Sequence, residues 1–147
     1  QNIVENNKDD YDKNVVVSYK FTVGDYFKQF GDKIFINLNL NRYVSQYRTD
    51  PNRKRDIEFD YKNHYVFETE FQIPPGYALE YLPESQTFEN DLIKTTISYS
   101  QEGNTIKYNH KVTCDFLVLD LDKQKEINNL IKEVEKAYKE VVILTKS

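Results

Sequence analysis

The chain has 147 residues, a net charge of −4 and a pI near 5.3, which fits one domain able to bury roughly 70% of its unfolded surface. Its single basic cluster, Arg53-Lys54-Arg55, is followed by Asp56, Glu58 and Asp60, so it lacks the unopposed cations that nucleic-acid binding needs. No apolar run reaches the ~20 residues of a bilayer span, and one cysteine excludes both an intrachain disulfide and a cysteine-based zinc site.

Aromatic residues supply the core material. Hydrophobic residues make up only 39% of the chain, but 12 tyrosines and 9 phenylalanines are present, and each such ring buries about 150–250 Å². The polar start without methionine reads as a piece of a longer or processed precursor. Residues 1–13 are expected to be a flexible polar lead-in, and residues 14–147 a single β-sandwich-like domain.

The first predicted strand is Val15–Val23, with Val15, Val17, Tyr19, Phe21 and Val23 on one face. Asp25–Phe30 fits either one helical turn or an edge strand entering a Gly31-Asp32 turn, the strand being preferred. Ile34–Leu40 alternates with Ile34, Ile36, Leu38 and Leu40 inward. Asn41–Arg55 has no sustained period and reads as a long connection, a type of segment that is often functional. Asp56–Tyr61 fits a short strand.

Tyr65–Leu82 carries the strongest β signal. Tyr65, Phe67, Thr69, Phe71 and Ile73 alternate with Val66, Glu68, Glu70 and Gln72, and alternation resumes at Tyr77 after Pro74-Pro75-Gly76. Proline fixes φ and glycine supplies the positive φ of a type II turn, so the stretch predicts a β-hairpin. Ile93–Ser100 and Ile106–Cys114 predict a second hairpin around Gly103-Asn104. The period then changes. Asp120 or Asp122 can cap a helix over about 122–139, with Ile127, Leu130, Ile131, Val134, Ala137 and Tyr138 in one stripe. Glu135 and Lys139 form an i,i+4 pair on its exposed side. Val141–Leu144 fits a short final strand or a continuation docked in the core. The expected fold is therefore mainly β with one C-terminal α-helix: an antiparallel β-sandwich built from hairpins, with the helix on one face or end.

The residues form no catalytic pattern. His110 and Cys114 lie on one strand face, about 13 Å apart by strand rise, too far for base and nucleophile to meet. A packed imidazole and a buried thiol are expected instead. Glu68 and Glu70 share a strand face and read as solvated carboxylates, because a glycosidase pair flanks a cleft. His64 with Asp60 is too sparse for a histidine-rich metal site, and no EF-hand spacing or phosphate-cradling glycine loop appears. No catalytic residue, metal or cofactor is therefore expected. The remaining lead is aromatic: Tyr26, Tyr43, Tyr47, Tyr61 and Tyr65 gather around the long connection. Of these, Tyr43, Tyr47, Tyr61 and Tyr65 are the candidate ligand-binding residues, able to stack on a glycan or a partner protein.

The order RDIEFDY, YVFETEFQIPPGYALEYLPES, ISYSQEGNTIKY and an amphipathic helix ending in VVIL carries a family resemblance. It resembles the C-terminal domain of unknown function that follows a transglutaminase-like core in secreted or periplasmic bacterial proteins. The strand pattern E-x-x-x-x-IP-x-GY-x-x-x-x-LP is matched from Glu68 to Pro83, while Asp56 stands where a proline is expected. The likeness covers Asn41–Ser147 well and Val15–Leu40 loosely. It implies a non-catalytic accessory module, an adjacent transglutaminase-like domain as partner and a Gram-negative periplasmic or extracellular setting. A transglutaminase-like Cys–His–Asp order is not met by His110 followed by Cys114, so no catalytic role is carried over.

Overall fold

The computed structural model describes residues 2–6, 12, 16–20 and 22–147. The chain is mainly β, with antiparallel sheets and one helix near the C-terminus. Strands β1 (Asn2–Asn6) and β2 (Val16–Lys20) pair with each other. Asn2–Asn6 is thus a strand inside the stretch expected to be a flexible lead-in, most of which lies outside the described residues. Of the apolar face predicted for Val15–Val23, Val17 and Val23 are exposed. Val15, Phe21 and the Tyr19 side chain also lie outside the described residues.

Two four-stranded sheets form the body. One runs β6 (Asn63–Gln72), β10 (Thr105–Cys114), β9 (Ile93–Glu102), β8 (Gln86–Glu89). The other runs β3 (Lys28–Phe30), β4 (Lys33–Ile36), β12 (Val142–Lys146), β7 (Tyr77–Tyr81). A short pair, β5 (Ile57–Glu58) with β11 (Val118–Leu119), continues the line of β6 and β10. Period-2 patterning decides the faces. On central β10, Ile106, Tyr108, His110, Val112 and Cys114 are all buried, and Lys111 and Thr113 are exposed.

β9 and β10 form the expected hairpin, with Glu102 opposite Thr105 and a two-residue Gly103-Asn104 loop. Gly103 has φ +57 and Asn104 does not enter the positive-φ region, the Gly-first pattern of a type II′ loop.

The Pro74-Pro75-Gly76 hairpin is corrected. The turn itself forms, with Tyr77 N donating to the Pro74 carbonyl at 3.2 Å and Gly76 at φ +83. Its two flanking strands do not pair with each other, because β6 pairs with β10 and β7 pairs with β12. The turn carries the chain from one sheet to the other. Local turn chemistry specifies a reversal, whereas the pairing partner is chosen by strands far along the chain.

The helix α1 (Leu121–Ala137) starts one residue earlier than predicted, and Tyr138 is its C-cap. Asp120 is the N-cap, accepting from the backbone N–H groups of Asp122 and Lys123. Its Ile127, Ile131, Val134 and Ala137 stripe is buried, and it packs on β8, β11 and a 3-10 helix at Tyr43–Tyr47. The inward rows of both large sheets and this stripe share one core, the sandwich-like arrangement with a helix on it.

Asn41–Arg55 connects β4 to β5, as expected, and carries that 3-10 helix within it. Three residues per turn put Val44 and Tyr47 on one side, and both are buried. Two side chains of α1 hold the segment down. Asn128 Oδ1 accepts from Thr49 N at 2.9 Å while its Nδ2 donates to the Thr49 carbonyl at 3.0 Å. Glu135 accepts from Ser45 Oγ at 3.1 Å and from Arg48 at 2.6 Å, so its principal partners lie across the fold and not at Lys139. Leu40, expected inward, is exposed.

Candidate functional site

Tyr43, Tyr47, Tyr61 and Tyr65 come together at one cleft of about 480 Å³, lined also by Gln46, Glu58, Phe59, Asp60 and Asn63. Three short elements build it. The 3-10 helix turns Tyr43 and Gln46 toward the opening while Val44 and Tyr47 enter the core. The start of β6 contributes Asn63 and Tyr65 from its inward row. The end of β5 and the connection that follows it supply Glu58 to Tyr61.

The rings interlock. Tyr43 lies 4.2 Å from Tyr65 between centroids and 5.9 Å from Tyr47, the latter edge to face. Below them Tyr47 meets Phe59 at 5.8 Å and Phe116 at 5.5 Å. Such offset and edge contacts suit the ring quadrupole. The hydroxyls are chained as well. Tyr65 donates to Asn63 Oδ1 at 3.2 Å, Asn63 Nδ2 donates to the Tyr47 oxygen at 3.1 Å, and the Tyr47 and Tyr43 oxygens are 3.5 Å apart. Burial, helped by its bonds to Tyr43 and Cys114, pushes the Tyr47 phenol well above its ordinary pKa. The Tyr65 phenol is also raised, chiefly by its hydrogen bond with Tyr43. Both shifts favour the neutral phenol. Tyr61 is the most open of the four, at 65% exposure.

Tyr26 does not join this group; its hydroxyl bonds the Asn37 carbonyl instead. The sequence did not single out Gln46, Phe59 or Asn63 as site residues. Asn63 was detectable only as the inward neighbour of Tyr65 at period 2.

The other candidates separate. His110 and Cys114 are both buried on β10, as expected. Burial raises the Cys114 thiol, and the Tyr47 hydroxyl bonded to it pulls the other way. His110 Nε2 is 2.9 Å from Thr95 Oγ1 and 3.3 Å from the Tyr138 hydroxyl. His64 bonds Thr113 Oγ1 across the sheet at 2.9 Å. Glu68 and Glu70 are exposed; Glu68 accepts from Asn109 Nδ2 at 2.8 Å, and both line a shallow groove with Lys107 and Lys111. Among the described residues, no three potential metal ligands converge.

No curated protein matches this chain. In fold, it is similar to a crystal structure from Parabacteroides distasonis described as "a putative protease", with TM-score 0.56 and 15% identity. The similarity covers 67% of this chain and 20% of that one, so the chain spans about a fifth of the solved protein. A family model described as a domain of unknown function with solved structure, DUF3858, matches residues 32–144. Those limits run from the residue before β4 into β12, two strands that pair with each other. By that match, which takes in the β6-β10-β9-β8 sheet, the helix and most of the second sheet but not β3, the chain belongs to the DUF3858 family.

Proposed function

We propose that this chain is a non-catalytic accessory and interaction domain of a larger bacterial envelope protein whose neighbouring domain is transglutaminase-like. The observation that carries the reading is the similarity to one fifth of a much longer protein, which is how a module within a larger chain presents itself. The sequence resemblance adds the transglutaminase-like neighbour and the periplasmic or extracellular setting. The separation of His110, Cys114, Glu68 and Glu70 into core and solvated positions agrees with a role without chemistry of its own.

The test is deletion within the natural full-length protein. Removing the region equivalent to residues 32–144 is expected to leave turnover of a small model substrate within about threefold. Use of a large or partner-bound substrate should fall much more. Loss of small-substrate turnover that the separately added domain restores by its own activity would refute the reading.

A second reading is favoured by a specific feature, the gathering of Tyr43, Tyr47, Tyr61 and Tyr65 at one cleft. In that reading the domain binds a glycan or peptide there. Tyr61→Ala removes the most exposed ring and should weaken binding while leaving the fold intact.

A further inference from the structure

The tyrosine cleft has a charge character that the aromatic count alone does not reveal. Its lining is Tyr43, Tyr47, Tyr61, Tyr65 and Phe59, with Gln46 and Asn63 as neutral polar groups and Glu58 and Asp60 as the charged ones. No lysine or arginine lines it. Of the neighbouring cations along the chain, Lys62 pairs with Asp115 and Arg48 with Glu135, and Arg42 is not part of the lining. Arg53 and Lys54 line a different cleft, beside Leu121 and Lys125. Among the described residues, neither Glu58 nor Asp60 has an ion-pair partner. Of the charged residues in 53–60, only Glu58 and Asp60 line the cleft.

The hydroxyl chain points the same way. Tyr65 spends its proton on Asn63, and Asn63 spends an N–H on Tyr47. Lone pairs of phenol oxygens are thus left at the cleft to accept from a donor ligand. Aromatic faces attract a cation within about 6 Å through the ring quadrupole, by ~0.5–2 kcal/mol depending on desolvation. An anion meets the negative ring faces and the Glu58 and Asp60 carboxylates, and only the neutral donors of Gln46, Asn63 and Tyr61 attract it.

We infer that the cleft binds a cationic side chain, a lysine or arginine presented by a protein partner, held between tyrosine faces and the Glu58 and Asp60 carboxylates. The inference rests on the second reading above and specifies its ligand. A protein-borne cation fits better than a neutral sugar because the two carboxylates stand unpaired on the rim. The tyrosines contribute rigid contact area at low entropic cost.

Titration of the isotope-labelled 147-residue chain with N-acetyl-lysine amide, followed by amide NMR, tests the inference. N-acetyl-norleucine amide, which keeps the four-carbon chain without the ammonium, serves as the uncharged analogue and triacetylchitotriose as the glycan. The lysine probe is expected to shift the amides of Asp60, Tyr61 and Asn63. The norleucine probe should bind at least fivefold more weakly. The Glu58→Gln, Asp60→Asn double variant should cost about tenfold for lysine and nothing for norleucine, with an unchanged spectrum elsewhere. Equal binding of both amino-acid probes overturns the inference, as does lysine binding unaffected by the double variant, or no shift at the cleft with lysine up to 50 times the protein concentration. Chitotriose binding at the cleft without lysine binding also overturns it, but preserves the reading of the cleft as a ligand site. Silence from all three probes at the cleft removes both.

Discussion

At the scale of single residues, His110 is the side chain whose chemistry is most altered by folding. Thr95 Oγ1 gives its one proton to the Lys111 carbonyl at 3.0 Å, so by the hydrogen-bond pattern it accepts from His110 Nε2–H. The Tyr138 hydroxyl, 3.3 Å from the same nitrogen, accepts from Val44 N–H at 3.2 Å and ties the site to the 3-10 helix. Nδ1 is buried without a partner. A second proton there would place an unpaired N–H in the core, and burial accordingly lowers the histidine from 6.5 to about 4. The group is neutral when folded and binds a proton more readily when unfolded. Stability contributed by neutral His110 is thus complete above pH 6.5 and declines as pH falls toward 4, by about 3 kcal/mol in total. Urea unfolding between pH 7 and 4 should show that decline, and it should flatten in His110→Leu once the variant's lower baseline is subtracted. The residue type and its burial were legible in the period-2 pattern of β10. Its partners Thr95 and Tyr138 were not, because they come from β9 and from the end of α1.

At the scale of elements, the 3-10 helix and its clamp decide whether the cleft exists. Tyr43 and Tyr47 are held over β6 by Asn128 and Glu135 of α1, which act on Thr49, Ser45 and Arg48. Asn128→Ala removes the bonds to both backbone groups of Thr49, leaving them partly buried and unpaired. It should cost about 1–3 kcal/mol. Amide exchange at Thr49 should accelerate, and exchange in β9 and β10 should follow only the global loss. The sequence showed α1 and the β9–β10 hairpin because their signals are local: a 3.6-residue stripe behind Asp120, and Gly103-Asn104 between two alternating runs. It concealed the 3-10 helix, whose only trace was Val44 and Tyr47 at i,i+3 within a polar stretch. It also pointed to the wrong partner at Pro74-Pro75-Gly76, since alternation identifies a strand's buried face but not the strand beside it.

At the scale of the molecule, one core joins two sheets that the chain enters and leaves repeatedly, and the last strand, β12, sits between β4 and β7. The residues with familiar catalytic chemistry lie within that core or on solvated strand faces, whereas the tyrosine cleft opens at a junction of short elements beside β6, an edge strand. Strand alternation specified the scaffold, and the clustering of tyrosines near the long connection hinted at the cleft. Its anionic rim became visible only once Arg53 and Lys54 were placed elsewhere. The central claim is binding without chemistry. It is tested most directly by incubating the chain with lysine-containing peptides and analysing them by mass spectrometry. The account predicts that every peptide is recovered with its mass unchanged, including those that perturb the cleft. Cleaved or amide-modified peptide, formed by the wild-type chain and absent with Cys114→Ala, would contradict it.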